Sequence, residues 1–412
     1  MSKTPILRST AKDWRATGII AAVCVAALAG AILTADIGQA HLSQSTPPGG
    51  DSIEVLGAAP KRLTEAYSLD NELLQGQYRT LSAHGLTITA QDSKITATNA
   101  DGSEAWSYTR ENTPICSLST GWDSVIATYR TGVGCGDTVE INAGTGQYAH
   151  TRSSINSDQV VPISSNDRVG TVSDQRLDLW RSDLVRTVEY GDVEAKQEPD
   201  FQPHEECTIT SAQTRKENLV LTDNCPDKPG QTWLRFLNAT PEDSRKPEVS
   251  TNIAIDTEDV RLVSVGEESA AIYRSQPKPM VQSFNKKGEL LSSTEVKEPE
   301  QAVSAGLPSV PMTADLPHNM SWFDGKRLYL LSPDTLKIES IVEDAIGSPI
   351  AVGEQILVPV AKGIAVVDPS TGKSERTIPV NRGKYKGAVH LTLAGTIIVE
   401  TRGDKAIGFK AV

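Results

Sequence analysis

Tyr129-Arg130, Tyr273-Arg274 and Thr401-Arg402 each close a run of apolar residues, and Asp174, Asp223 and Asp324 fall at comparable points of other runs. A guanidinium beside a phenol can hold a sugar hydroxyl or a charged head group by directional hydrogen bonds. Tyr129, Arg130, Asp174, Tyr273, Arg274 and Arg402 are therefore the candidate ligand-binding residues. A competing reading is structural. Charged groups that become buried are normally paired, so the same residues can form lateral ion pairs between neighbouring blades of a closed propeller.

Other chemistry finds little support. The six histidines are scattered singly, and none has a second ligand at metal spacing. There is no G-x-S-x-G elbow, no P-loop and no EF-hand pattern. The glycine-rich TGVGCG from Thr131 reads as a turn, as does the Arg402-Gly403-Asp404 string. The expectation is a protein that is not an enzyme and that uses no metal or cofactor. A formal net charge of −12 argues against nucleic acid as a partner, since that needs a basic face.

The N-terminus sets the compartment. Residues 16–35 carry no charge and suffice to cross a bilayer as a helix. Lys3, Arg8, Lys12 and Arg15 precede them, against Asp13 alone, which places the N-terminus in the cytoplasm and the remaining chain outside. Those residues take +3 out of the −12 total and leave −15 for the exported part. A cleaved signal peptide, with Gly38-Gln39-Ala40 as its weak site, is the alternative. The expected layout is a cytoplasmic tail over 1–15, a transmembrane helix over 16–37, a flexible tether over 38–59 and a folded periplasmic domain over 60–412.

The candidate residues must be positioned by short strands. ITATNADGSEAWSY, from Ile95, reads as strand, Asp-Gly turn and strand. Versions of it return from Val139, Val281, Leu328 and Ile364, at a spacing of roughly 40 residues typical of propeller blades. Counting strands A (inner) to D (outer) gives seven full blades, then three strands from Val389 to the C-terminus that lack a D. The orphan strand at residues 62–69 supplies it and removes both sheet edges. The predicted fold is all-β, a β-propeller of eight blades, with seven as the runner-up. Long inserts from Asp192 and Lys297 join D to A strands and are expected as surface loops on one face.

This topology also sorts the cysteines. Cys24 is alone in the apolar segment, while Cys116, Cys135, Cys207 and Cys225 form an even set in an oxidising compartment. Each of Cys116 and Cys207 starts an A strand, and each of Cys135 and Cys225 follows the next B strand. The start of A lies beside the end of B, so the predicted disulfides are Cys116–Cys135 and Cys207–Cys225. Among the tryptophans, Trp106 and Trp180 are expected between blades and Trp233 and Trp322 in the core. Trp122 is the one expected at the surface.

LDLWRSDLVRTVEYGDV from Leu177, CGDTVEINAGTGQY from Cys135 and GIAVVDPSTGKSERTIPV from Gly363 resemble the polar growth factor A family. These are single-pass membrane proteins with an exported propeller, from actinobacteria that make mycolic acids. The resemblance implies a periplasmic propeller that binds trehalose monomycolate and works with an MmpL-type lipid transporter in mycomembrane assembly and polar growth. Two other functions compete. One is a scaffold that binds only protein, through the long D–A loops. The other is a quinoprotein dehydrogenase, suggested by turns such as DPSTGK at Asp368 but lacking the vicinal cysteine pair usual in such enzymes.

Overall fold

Eight antiparallel sheets follow one another along the chain, seven of four strands and one of five. The computed structural model describes residues 9–44, 53–193, 196, 198–300 and 307–412. Blade 1 holds Leu81–Ala83, Leu86–Gln91, Lys94–Thr98 and Glu104–Arg110. Blades 2, 3 and 4 begin at Ile115, Val161 and Thr208, and blades 5, 6 and 7 at Val260, Met312 and Ile350. Blade 8 combines the C-terminal strands His390–Ala394, Ile397–Arg402 and Lys405–Ala411 with Leu63–Asp70 from the other end of the chain. Leu63 pairs with Ala411 and Asp70 with Lys405, so the ring closes by the exchange read from the sequence. The count is eight.

B strands are buried on both faces because each sheet is sandwiched between two others. All six residues of Ile397–Arg402 are buried, for example. Trp106 fills the gap between blades 1 and 2, fully buried, and its Nε1–H donates to the Ala143 carbonyl at 2.9 Å. Gly146 caps it. A Cβ there would lie 2.8 Å from the indole, and the residue's φ of +63° suits glycine. Trp322 is core as expected. Trp233 is only half-buried, and Trp122 packs against Ile126, Val169, Trp180 and Leu184 instead of standing free.

In each blade the B–C turn and the D–A connection lie on one face, called upper below. The A–B and C–D turns lie on the lower face. Both disulfides form as predicted, with sequence separations of 19 and 18. Their placement differs slightly. Cys207 and Cys225 flank an A–B hairpin, whereas Cys135 already belongs to strand C of blade 2, Gly134–Asn142.

The N-terminal helix runs over Ala11–Thr34 and is long and apolar enough to cross a membrane. It starts before residue 16 because Thr10 and Asp13 form a capping box. Part of the expected tether is ordered. Ala40–Gln44 is a fifth strand on blade 1, pairing along Glu104–Arg110. The open edge of that outer strand offers unpaired backbone groups, and the added strand satisfies them. Residues 45–52 of the expected tether lie outside the described residues. Ile53 and Glu54 then pass the A–B turns at Gly85 and Gly395, and Gly57 passes the one at Gly353.

The long inserts are not simple surface loops. Val193 and Gln202 of the first are buried. Leu307 and Ser309 of the second turn into the central channel, where the Ser309 amide donates to the Thr210 carbonyl at 2.7 Å. Eight blades leave a channel wide enough to need filling, which is why the chain turns inward there.

Candidate functional site

The residues singled out from the sequence do not form one site. They sit in blades 2, 3, 5 and 8. Tyr129 is fully buried against Tyr108, with ring centroids 6.1 Å apart, and the Arg110 guanidinium lies 4.8 Å from its ring centre. Burial pushes its phenol pKa well up. Arg110 in turn pairs with Asp137 at 2.6 Å. Tyr273 is buried beside Trp322 at 6.2 Å. Arg274 donates to the Gln276 carbonyl at 3.0 Å, and Asp174 is half-buried with its carbonyl accepting from the Ile209 amide at 2.7 Å. Arg130 alone is exposed.

Arg402 makes the structural reading concrete. It is buried and bonds Glu400 at 2.6 Å, while Arg382, from the connection between blades 7 and 8, bonds the same carboxylate at 2.7 Å. Asp324 likewise holds Arg327, and Asp223 holds Arg235. The polar B-strand ends are thus largely ion-paired, but Arg402–Glu400, Asp324–Arg327 and Asp223–Arg235 each lie within one blade and are not lateral pairs between neighbouring blades.

An arrangement with more room lies beside one of these ties, on the upper side of blade 4. A cleft of about 470 Å³ is bounded by Gln202, His204, Glu206, Asp227, Trp233, Arg235 and Asn252, and by the Cys207–Cys225 bridge. The first insert supplies residues 202–206, and strand C of blade 4, Thr232–Asn238, supplies Trp233 and Arg235. Arg235 is the brace. Its Nε bonds both oxygens of Asp223, at 3.0 and 2.8 Å, its Nη1 reaches Asn252 Oδ1 at 2.6 Å and His204 Nε2 at 3.2 Å, and its guanidinium lies 5.3 Å from the Trp233 ring centre. Tyr190 from blade 3 donates to Asp223, so the brace spans two blades. Burial, helped by the Arg235 charge, lowers the His204 pKa and keeps the ring neutral.

This geometry selects a ligand type. Arg235 is buried and its charge is already paired with Asp223, and the exposed carboxylates Glu206 and Asp227 would repel an anion. A half-exposed indole with an amide, a neutral imidazole and carboxylates around it suits a polyhydroxyl compound, whose hydroxyls both donate and accept. Cys207, Asp223 and Cys225 also lie close enough to share a metal ion, but both sulfurs are consumed by the disulfide. Sequence reasoning missed this cleft because it took Trp233 for core. The signal was the cysteine pair flanking a hairpin directly after a long insert.

A second cavity, of about 250 Å³, shares Gln202 on the blade 3 side. There Arg176 and Arg186 surround Glu189, and both also approach Asp178. Burial raises the Glu189 pKa against the pull of these arginines. Arg152 interacts electrostatically with the same two carboxylates, so three guanidiniums face Asp178 and Glu189 and the cluster is net positive.

No protein-family description matches the chain, and no curated relative does. Among solved structures, a chain of the crystal structure of the mitotic checkpoint complex is similar in outline. It is 12% identical over 90% of this chain and 99% of that one, with a TM-score of 0.44.

Proposed function

We propose that this protein is a non-catalytic, membrane-anchored factor of the cell envelope whose blade 4 cleft receives the sugar head of a glycolipid. The observation that carries the reading is the pairing of Trp233 with neutral hydrogen-bonding groups in a cleft of about 470 Å³, large enough for a disaccharide-sized head. Resemblance to the polar growth factor A family supplies the rest of the reading: trehalose monomycolate as the glycolipid, an MmpL-type transporter as the partner, and the periplasm as the location. The apolar helix and the two disulfides agree with an exported, anchored domain. Titration of the full chain in detergent with trehalose monomycolate, and separately with trehalose, tests it. Saturable binding of both is expected, and failure of both removes the reading.

A second reading is a scaffold that binds only protein. One observation favours it. The central channel is obstructed on its upper side by residues 76–78 and 307–311, with a cavity of about 320 Å³ left toward its lower mouth, so the upper rim loops remain as contact surface. A cross-linked pull-down from the native membrane that returns a transporter and no lipid would support the scaffold instead.

A further inference from the structure

We propose that the upper face of the propeller lies against the membrane that holds its own helix, so that the B–C turns and D–A connections meet the lipid head groups. The inference rests on where the chain joins the ring and is independent of the ligand assigned to blade 4.

The helix ends at Thr34 and the fifth strand of blade 1 begins at Ala40. Of the residues between, Asp36–Gln39 form a 3₁₀ turn. At about 2 Å per coiled residue, the link spans roughly 12 Å. Ala40 pairs with Arg110, and the Glu111 amide donates to the Gln39 carbonyl at 3.0 Å. Arg110 and Glu111 mark the upper end of strand D. Gln44 pairs with Trp106, and its side chain reaches the Thr145 carbonyl in a lower C–D turn at 2.5 Å. The chain therefore leaves the membrane at the upper rim and descends. Strand D spans 7 residues, which puts the lower turns roughly 23 Å farther away.

The rim beside the anchor is suited to a head-group layer. On blade 2 and the connection after it, Val133 and Ile155 stand 52% and 43% exposed, side by side, with the Asn156 amide donating to the Val133 carbonyl at 3.1 Å. On the other side of blade 1, Lys362, Lys384 and Lys386 are exposed on upper loops of blades 7 and 8. Exposed carboxylates outnumber cations on this face as a whole, Glu111, Asp158, Glu206, Asp227, Glu258 and Asp404 among them, so it is not drawn to anionic lipid and the short link does the orienting. One consequence is that the blade 4 cleft opens on the membrane side.

The test uses the full chain carrying Cys24→Ser, reconstituted in phosphatidylethanolamine–phosphatidylglycerol vesicles with a head-group nitroxide lipid as quencher. Single fluorophores are placed through Val133→Cys and Lys386→Cys above, and through Asn166→Cys and Ser370→Cys below. Upper labels should be quenched at least twofold more than lower ones, and inserting ten Gly/Ser residues after Ala35 should erase most of that difference. Equal or reversed quenching overturns the proposal, as does asymmetry that survives the insertion. Hydrogen exchange of the unlabelled chain, in vesicles against detergent, reads the same question without substitutions. Added protection at residues 131–133 and 384–387 is expected, and protection at 165–167 instead would contradict it.

Discussion

The Tyr78 hydroxyl donates to the Thr313 carbonyl oxygen at 2.5 Å, joining residues 235 positions apart. Tyr78 lies between blades 8 and 1, and Thr313 lies in the inner strand of blade 6. One residue earlier, Gln77 Nε2 donates to the Leu118 carbonyl of blade 2 at 2.8 Å. Blades 2 and 6 are opposite in a ring of eight, so this short segment crosses the channel and ties its two sides.

Gly76 should be the sensitive point of that crossing. Its φ is +77°, and a Cβ would lie 2.8 Å from the Val161 Cβ and 3.0 Å from the Pro162 Cδ. Gly76→Ala should lower stability by roughly 1–3 kcal/mol through backbone strain and overpacking. Tyr78→Phe, which removes only a hydrogen bond, should lose about 1 kcal/mol. Urea unfolding followed by tryptophan fluorescence gives the comparison, and the reverse order would contradict a plugged channel.

Glu400 is fully buried between Arg382 and Arg402. Glu400→Gln leaves two buried guanidiniums facing a neutral amide and should lose about 3–5 kcal/mol. Arg130→Ala, at an exposed position with the same B-strand-end location, should change stability by less than about 0.5 kcal/mol. Equal effects in thermal unfolding would mean that the B-strand ends share one role, against the structure.

His390 makes stability depend on pH. Its Nδ1 accepts the Ser348 amide at 3.1 Å, and burial, with Arg79 nearby, lowers its pKa from 6.5 to about 4. The unfolded chain therefore takes a proton before the folded one does. The contribution is fully present above pH 6.5, declines as pH falls through that value, and is lost by about pH 4. It amounts to about 3 kcal/mol. In His390→Gln, the slope of stability against pH between about 6.5 and 4 should flatten. An unchanged slope in denaturant melts would contradict this.

The ring was legible because its signals are local. Turn residues and alternating strands repeat, and the orphan strand before blade 1 matches the strand missing after Lys405. The cysteine pairs followed from that topology. What stayed hidden depends on packing between distant segments. Nothing near His41 announces that Ala40–Gln44 adds to blade 1, because an edge strand borrows its partner from Glu104–Arg110. Tyr129 and Tyr273 looked like ligand groups because side-chain type does not show whether a strand end meets solvent or the next blade. Trp233 erred the other way, since it stays half-buried at the mouth of a cleft whose other wall is the insert, with His204 of that insert meeting Arg235.

The most direct measurement is the affinity of the full chain for trehalose monomycolate with and without Trp233→Ala, read by calorimetry in detergent. Losing the indole should weaken binding by about 1–3 kcal/mol, on the order of ten- to a hundredfold, while unfolding stays close to that of the unaltered chain at a half-exposed position. Unchanged affinity, or no binding by the unaltered chain, would contradict a sugar-binding cleft on blade 4.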